Sequence, residues 1–123
     1  MKNALIICAV LIGLNGCSEK TYTADYLMND REKRLEILEA CKTNKQSSEN
    51  CASANAAQTA IVAKIKTLQN QISTLKYKNL RADQLLKKYP NAQHDLEAHE
   101  RKKNEALAVI AQAEQEIEKL KQQ

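Results

Sequence analysis

The sequence has almost no glycine or proline and lacks both phenylalanine and tryptophan. Its 123 residues include two Gly, one Pro, no Phe and no Trp, and both glycines, Gly13 and Gly16, lie close to the start. Compact domains use glycine in tight turns and bulky side chains to fill a core. The abundant Ala, Glu, Lys, Gln and Leu are typical of long helices and coiled coils. We therefore expect an all-α protein that is not an enzyme and takes no small-molecule substrate.

The charged residues give no sign of a catalytic, metal or nucleic-acid site. The 19 basic and 15 acidic residues leave a formal charge of +4, and both signs are interspersed along predicted helices. We interpret them as solvated faces without a basic stripe or an aromatic platform for nucleic acid. His94 and His99 are spaced i, i+5, so they do not share one helix face as a metal pair would. We expect no metal, no cofactor and no catalytic residue.

The first residues predict export and a lipid anchor. Lys2 precedes an apolar run, Ala4 to Leu14, of about 11 residues, which suits a signal peptide and is too short to span a bilayer. Leu14-Asn15-Gly16-Cys17 resembles a bacterial lipobox. That resemblance implies cleavage before Cys17, diacylglycerol on its sulfur and an acyl group on its new amino terminus. Such a protein is anchored in the bacterial cell envelope and faces the periplasm, on either the inner or the outer membrane.

Two cysteines are then left for other chemistry. Cys8 leaves with the signal peptide and Cys17 carries lipid, so Cys41 and Cys51 are the remaining thiols. Zinc would need more ligands, and no CxxC redox motif is present. In the oxidising periplasm a disulfide forms and persists. We therefore predict a structural disulfide between Cys41 and Cys51.

Around these cysteines the sequence predicts a short helical region. Asn29 with Glu32 reads as a capping box for a helix from about 30 to 42. Upstream, Thr23 is suited to cap a short turn that carries Tyr26 and Leu27. Residues 43–50 are the polar loop that the disulfide would close.

Beyond residue 52 the apolar residues recur at heptad spacing. The stripe extends to Tyr89, breaks at Pro90, and resumes from Leu96 in a shifted frame. The seam residues are Ile61, Ile65, Leu68, Ile72, Leu75, Asn79, Leu86, Ile110, Ile117 and Leu120.

Two arrangements of these helices, about 53–88 and 92–121, satisfy the stripe. Helices of similar length around a short Pro-Asn turn favour an antiparallel hairpin. Ile at a, Leu at d and Asn79 at an a position favour an extended parallel coiled-coil homodimer. The predicted regions are a signal peptide at 1–16, a lipidated tether at 17–24, a disulfide-tied region at 25–58, and a coiled-coil hairpin at 59–123 with its turn near 89–92.

Residues 14–58 resemble the EexN family of entry-exclusion lipoproteins, which are encoded among conjugation genes. The loop between the cysteines departs from the family, because Lys45 to Ser48 stand where a proline is usual. The matching features are the lipobox Cys17, Tyr-Leu-Met-Asn-Asp at 26–30, a charged helix ending at Cys41 with Asn44 after it, and Asn50-Cys51 followed by Asn55-Ala56.

The resemblance implies that the protein blocks redundant plasmid entry by contacting the donor's type IV secretion channel. Tyr26, Leu27 and Met28 are the candidate contact residues; the alternative, which the sequence favours, is that they pack against the helix predicted over residues 30–42. Two other functions remain open: a structural coiled-coil spacer in the envelope, and a lipoprotein subunit of a secretion apparatus.

Overall fold

The computed structural model describes residues 19–90 and 93–123, without the side chains of residues 93–95. This part of the chain is all-helical, as predicted, and contains no strand. None of its helices is both long and apolar enough to cross a membrane. The predicted signal peptide and the lipidation site Cys17 lie outside the described residues. The four helices are α1 (Ala24–Asn29), α2 (Arg31–Lys42), α3 (Ser48–Lys88) and α4 (Gln93–Gln122).

Side-chain caps set the boundary between the two short helices. The Thr23 hydroxyl accepts from the Tyr26 backbone N–H at 3.2 Å, as predicted for α1. The predicted capping box is wrong, because Asp30 caps α2 by accepting from the Lys33 N–H at 2.9 Å. Asn29 remains the last residue of α1, where its side-chain amide donates to the Asp25 carbonyl. Asp30 is both the C-cap of α1 and the N-cap of α2, so the chain passes from one helix to the next without glycine.

The loop between α2 and α3 is shorter than predicted. The Ser47 hydroxyl accepts from the Asn50 N–H at 3.2 Å, so α3 begins at Ser48 and the connecting segment is 43–47. Within it, Asn44 has φ of 53°, in the left-handed region where Asn is tolerated better than most residues. Asn44 therefore makes the turn for which many proteins use glycine.

A small core forms where α1 and α2 pack on the first turns of α3. Leu27, Ile37, Ala54 and Ala57 are fully buried and make up this core, and Tyr22, Met28, Leu38 and Cys41 pack around it. The two alanines lie one turn apart on α3 and let the short helices approach closely. We call residues 19–58 the N-terminal unit.

The rest of α3 packs against α4. Ile72 lies in a second cluster with Ile110, Ala113 and Ile117, flanked by half-buried Ile65, Leu68 and Leu75. The ten predicted seam residues are all buried or half-buried. The ends of the stripe differ from the prediction: Tyr89, the C-cap of α3, is exposed, and Leu96 is exposed too.

Ion pairs between α3 and α4 follow opposite orders along the two helices. Lys64 pairs with Glu116 at 2.7 Å and Lys76 pairs with Glu114 at 3.1 Å. Further along α3, Asp83 binds Lys103 at 2.8 Å. As the residue number rises on α3, it falls on α4. At 1.5 Å per residue, the 41 residues of α3 extend about 60 Å.

Candidate functional site

The disulfide holds the N-terminal unit together at one end. Cys41 lies in the last turn of α2 and Cys51 in the first turn of α3, with their Cα atoms 5.9 Å apart. The predicted pairing is therefore present. The bond closes a ten-residue separation, for which the chain-entropy model gives about 2–3 kcal/mol of stabilisation. It ties the end of α2 to the start of α3.

Asn50 is the second feature that holds the N-terminal unit together, and its side chain is fully buried. Its Oδ1 accepts from the Tyr22 backbone N–H at 2.8 Å, and its Nδ2 donates to the Lys20 carbonyl at 2.9 Å. The same Nδ2 donates to Gln46 Oε1 at 3.0 Å. One amide therefore holds the incoming extended segment against the start of α3.

Arg34 is the third feature that holds the unit together, and it is almost completely buried. Its Nη1 donates to the Leu27 carbonyl at 2.7 Å, and its Nε donates to Gln58 Oε1 at 3.0 Å. Burial lowers the pKa of this guanidinium, and the neighbouring Arg31 lowers it further. No ion pair to Arg34 occurs among the described residues. Because its bonds reach α1 and α3 from α2, this one side chain links all three helices.

Asn50 and Arg34 were not identified as structural residues from the sequence. Their spacing relative to apolar neighbours nevertheless indicates buried positions. Asn50 is in phase with Ala54, Ala57 and Ile61 at steps of four, three and four, which places it on the buried face of α3. Arg34 is likewise in phase with the half-buried Leu38 and with Cys41. A polar residue at a core position indicates a buried hydrogen-bonding role.

A cluster of aromatic and charged side chains covers the outside of α1. Tyr26 Oη donates to Asp30 Oδ2 at 2.8 Å, and this bond raises the pKa of the Tyr26 phenol. The Lys33 N–H and then the Tyr26 hydroxyl lower the pKa of Asp30. The Tyr22 and Tyr26 rings lie 5.5 Å apart, and the Lys20 and Lys33 ammonium groups lie 5.3 and 5.7 Å from the Tyr22 ring centre. The cluster presents amphipathic groups that are held in place.

The three candidate contact residues have different environments. Tyr26 is 47% exposed, Met28 is half-buried, and Leu27 is fully buried in the core of the unit. Leu27 therefore packs against the helices, which was the alternative left open by the sequence, and it is no longer a candidate for contact. Tyr26 and Met28 stay candidates.

A groove lies beside the disulfide, and its lining includes exposed apolar and charged side chains. It lies between α2 and α3, and Leu35, at 41% exposure, is its most accessible large apolar residue. Glu39 and Lys42 form an ion pair at its rim. The groove thus combines apolar side chains with charged and polar ones. The groove is lined by Leu35, Leu38, Glu39, Cys41, Lys42, Asn55 and Gln58.

Further along α3, Asp83 joins this helix to Lys103 and His99 of α4. Lys103 Nζ donates to both carboxylate oxygens, and His99 Nε2 lies 3.0 Å from Asp83 Oδ1. Lys103 and then His99 lower the pKa of Asp83. Among the residues described, no three His, Cys, Asp or Glu side chains come together as a metal site would require. Asp83 thus makes a structural ion-pair cluster between helices.

Comparisons with protein-family models, with curated proteins and with solved structures return no match for this chain.

Proposed function

We propose that this chain is an envelope lipoprotein that mediates entry exclusion in bacterial conjugation. The observation that carries the proposal is the coincidence, over residues 14–58, of a lipobox with a cysteine-bracketed helical segment of EexN type. The Cys41–Cys51 disulfide and the compact core of the N-terminal unit support it. They give the segment that resembles the family a single defined shape, which recognition of a partner requires.

The proposed contact with the donor's secretion channel is made by the groove beside the disulfide. Leu35 supplies an apolar anchor, and Tyr26 and Met28 on α1 supply further contact area. Because Arg34 and the disulfide tie α1 and α2 to α3, binding orders few side chains and loses little conformational entropy. A helix of the partner laid into this groove is the natural mode of recognition.

We further propose that α3 and α4 form an antiparallel coiled-coil hairpin that acts as an arm. The reversed order of their ion pairs and the burial of the predicted stripe support this arrangement. The alternative parallel homodimer would use the same seam residues. Ile72 already packs with Ile110 and Ile117, so that dimer would require α4 to leave.

A mating assay tests the proposal. A plasmid-free recipient expresses the chain, and transfer is measured from donors that carry either the native conjugative element or an unrelated one. We expect transfer of the native element alone to fall. Equal transfer of both elements, with the lipoprotein detected in the envelope fraction, would contradict the proposal.

A structural spacer in the envelope, or a lipoprotein subunit of a secretion apparatus, is the second candidate. The length of α3, about 60 Å at 1.5 Å per residue, favours the spacer. A spacer should depend on the length of α3 and α4 and tolerate loss of the disulfide. Removing one heptad from each helix, opposite each other, therefore separates the two functions: exclusion persists if the N-terminal unit carries it, whereas a spacer is impaired.

A further inference from the structure

The charges of the whole chain are mixed, but α3 is strongly basic. Only one acidic residue, Asp83, occurs between residues 62 and 90, against seven basic ones. In residues 93–123 the balance reverses, with seven acidic and five basic residues. The interspersed pattern expected from the sequence therefore does not extend to this helix. The seven basic residues are Lys64, Lys66, Lys76, Lys78, Arg81, Lys87 and Lys88.

Part of this charge lies on a face of α3 directed away from α4. Tyr77, Leu80, Arg81 and Lys88 follow one another at i, i+3, i+4 and i+11, which places them on one side of a helix. All are exposed, and Tyr77 and Leu80 are among the most exposed large apolar residues. We call this the basic face. It consists of Lys66, Tyr77, Leu80, Arg81, Lys87 and Lys88.

The lysines beside the seam have a different role. Lys64 and Lys76 pair with Glu116 and Glu114 of α4. None of the basic-face cations forms an ion pair with any carboxylate whose position is described. Within the part of the chain that the structure describes, the basic face therefore differs from the seam lysines, whose carboxylate partners lie on α4.

We propose that the basic face of α3 docks on a membrane surface rich in anionic lipid headgroups. From Lys66 to Lys88 the face extends about 33 Å at 1.5 Å per residue. Its outline is the convex side of one helix, so a flat surface can meet all of its cations at once. Lys and Arg near an anionic leaflet are attracted to it, and Tyr favours the headgroup level.

The excess of acidic residues on α4 determines which side of the helix pair would face the membrane. With α3 on the membrane, the helix with more acidic residues faces the solvent, which lowers repulsion from anionic lipid. Lys20 and Tyr22 lie beside Asn50, near the start of α3. A lipid on Cys17 would hold that end near the same membrane. The proposed docking concerns a different surface from the groove and does not depend on entry exclusion.

Lysine footprinting tests the docking on the full chain. The protein is purified from bacterial membranes and reconstituted into vesicles of phosphatidylcholine alone, or of equal parts phosphatidylcholine and phosphatidylglycerol. A water-soluble succinimidyl ester labels exposed lysines, and mass spectrometry measures each site. We expect labelling of Lys66, Lys87 and Lys88 to fall about threefold or more on anionic vesicles, and to recover near 1 M salt, where the Debye length is about 3 Å.

Lys102 provides the internal control. It is exposed on α4, next to the Lys103 that binds Asp83 across the two helices, and its labelling should stay the same in both vesicles. The double variant Lys66→Gln with Arg81→Gln should weaken protection of Lys87 and Lys88. The matched variant Arg101→Gln with Lys121→Gln, which removes the same charge from α4, should not.

Two outcomes would overturn the proposal. Equal labelling of the basic face in both vesicles would show that anionic lipid does not cover it, as expected if it binds an acidic protein instead. Equal protection of Lys102 and Lys88 would show that no particular face docks. Circular dichroism of each variant confirms that its helices are retained.

Discussion

The N-terminal unit and the α3–α4 pair share one long helix but are stabilised in different ways. The unit buries Leu27, Ile37 and Asn50 almost completely and is closed by a disulfide. The α3–α4 pair relies on a repeating stripe whose members keep slightly more exposure, together with ion pairs at the surface. Ion pairs of this kind contribute little. Most of the stability of the pair therefore comes from its stripe.

The two regions therefore differ in how strictly their side-chain contacts define one structure. Arg34 on α2 bonds specific groups of α1 and α3, and Asn50 bonds specific groups of the segment before α1, so these bonds constrain how α1 and α2 pack. A heptad stripe repeats, so its register is less strongly defined. The N-terminal unit is thus better suited to present a defined recognition surface, and the α3–α4 pair is better suited to serve as an arm.

The same substitution in both regions would sharpen the comparison most. Ile37 is 1% exposed and Ile72 is 8% exposed. Replacing either by Ala should cost about 2–5 kcal/mol, and Ile37→Ala should lie at the upper end because its site is more completely enclosed. Urea denaturation followed by circular dichroism measures both. A larger loss from Ile72→Ala would place the main stabilising core in the α3–α4 pair.

Removing the disulfide should affect only one of the regions. The double variant Cys41→Ser with Cys51→Ser should lose about 2–3 kcal/mol. Hydrogen exchange should then rise in α1, α2 and the first turns of α3, while α4 keeps its protection. Faster exchange throughout α4 would show that the two regions unfold as one unit.

Replacing each of two asparagines by leucine should change the stability of the fold in opposite directions. Asn50→Leu should destabilise by about 1–3 kcal/mol, because it leaves the Tyr22 N–H and the Lys20 carbonyl without their partner. Asn79, half-buried in the seam, should behave in the opposite way, since a polar residue at an a position costs stability. Thermal denaturation of Asn79→Leu should therefore show an equal or higher Tm. A lower Tm would mean that Asn79 makes a required polar contact.

The smallest expected effect is that of acid on the α3–α4 pair. The pKa of Asp83 is lowered in the folded chain, so its stabilising contribution is present above the unfolded-state pKa and is lost as pH falls through the folded-state value. Tm measured from pH 5 downward should fall less steeply for Asp83→Asn than for the unmodified chain. Identical slopes would show that the bonds of Asp83 to Lys103 and His99 contribute nothing measurable.

Periodicity and cysteine number predicted much of the fold, because each depends on local spacing. The heptad stripe indicated residues that the structure shows buried or half-buried, and the predicted lipid anchor left Cys41 and Cys51 as the natural pair. Cap positions were less certain, since Asn29 and Asp30 are adjacent and both suit a cap. Only the packing of α1 on α2 decides between them.

The candidate site was harder to predict. Whether Leu27 or Tyr26 faces outward depends on how a six-residue helix rotates, which no repeat in so short a segment determines. The role of Asn50 depends on backbone groups of Lys20 and Tyr22, which are almost thirty residues away in sequence. The groove exists only once α2 and α3 are in contact.

We propose that the N-terminal unit, and not the α3–α4 pair, carries entry exclusion. This proposal is tested most directly in the mating assay with two matched variants, Leu35→Glu in the groove and Leu107→Glu on α4, where the leucines are 41% and 50% exposed. Loss of about 1.4 kcal/mol of contact weakens binding about tenfold. We predict that Leu35→Glu restores transfer of the native element by about that factor and that Leu107→Glu still excludes it. Full exclusion by Leu35→Glu, with transfer restored by Leu107→Glu, would contradict the claim.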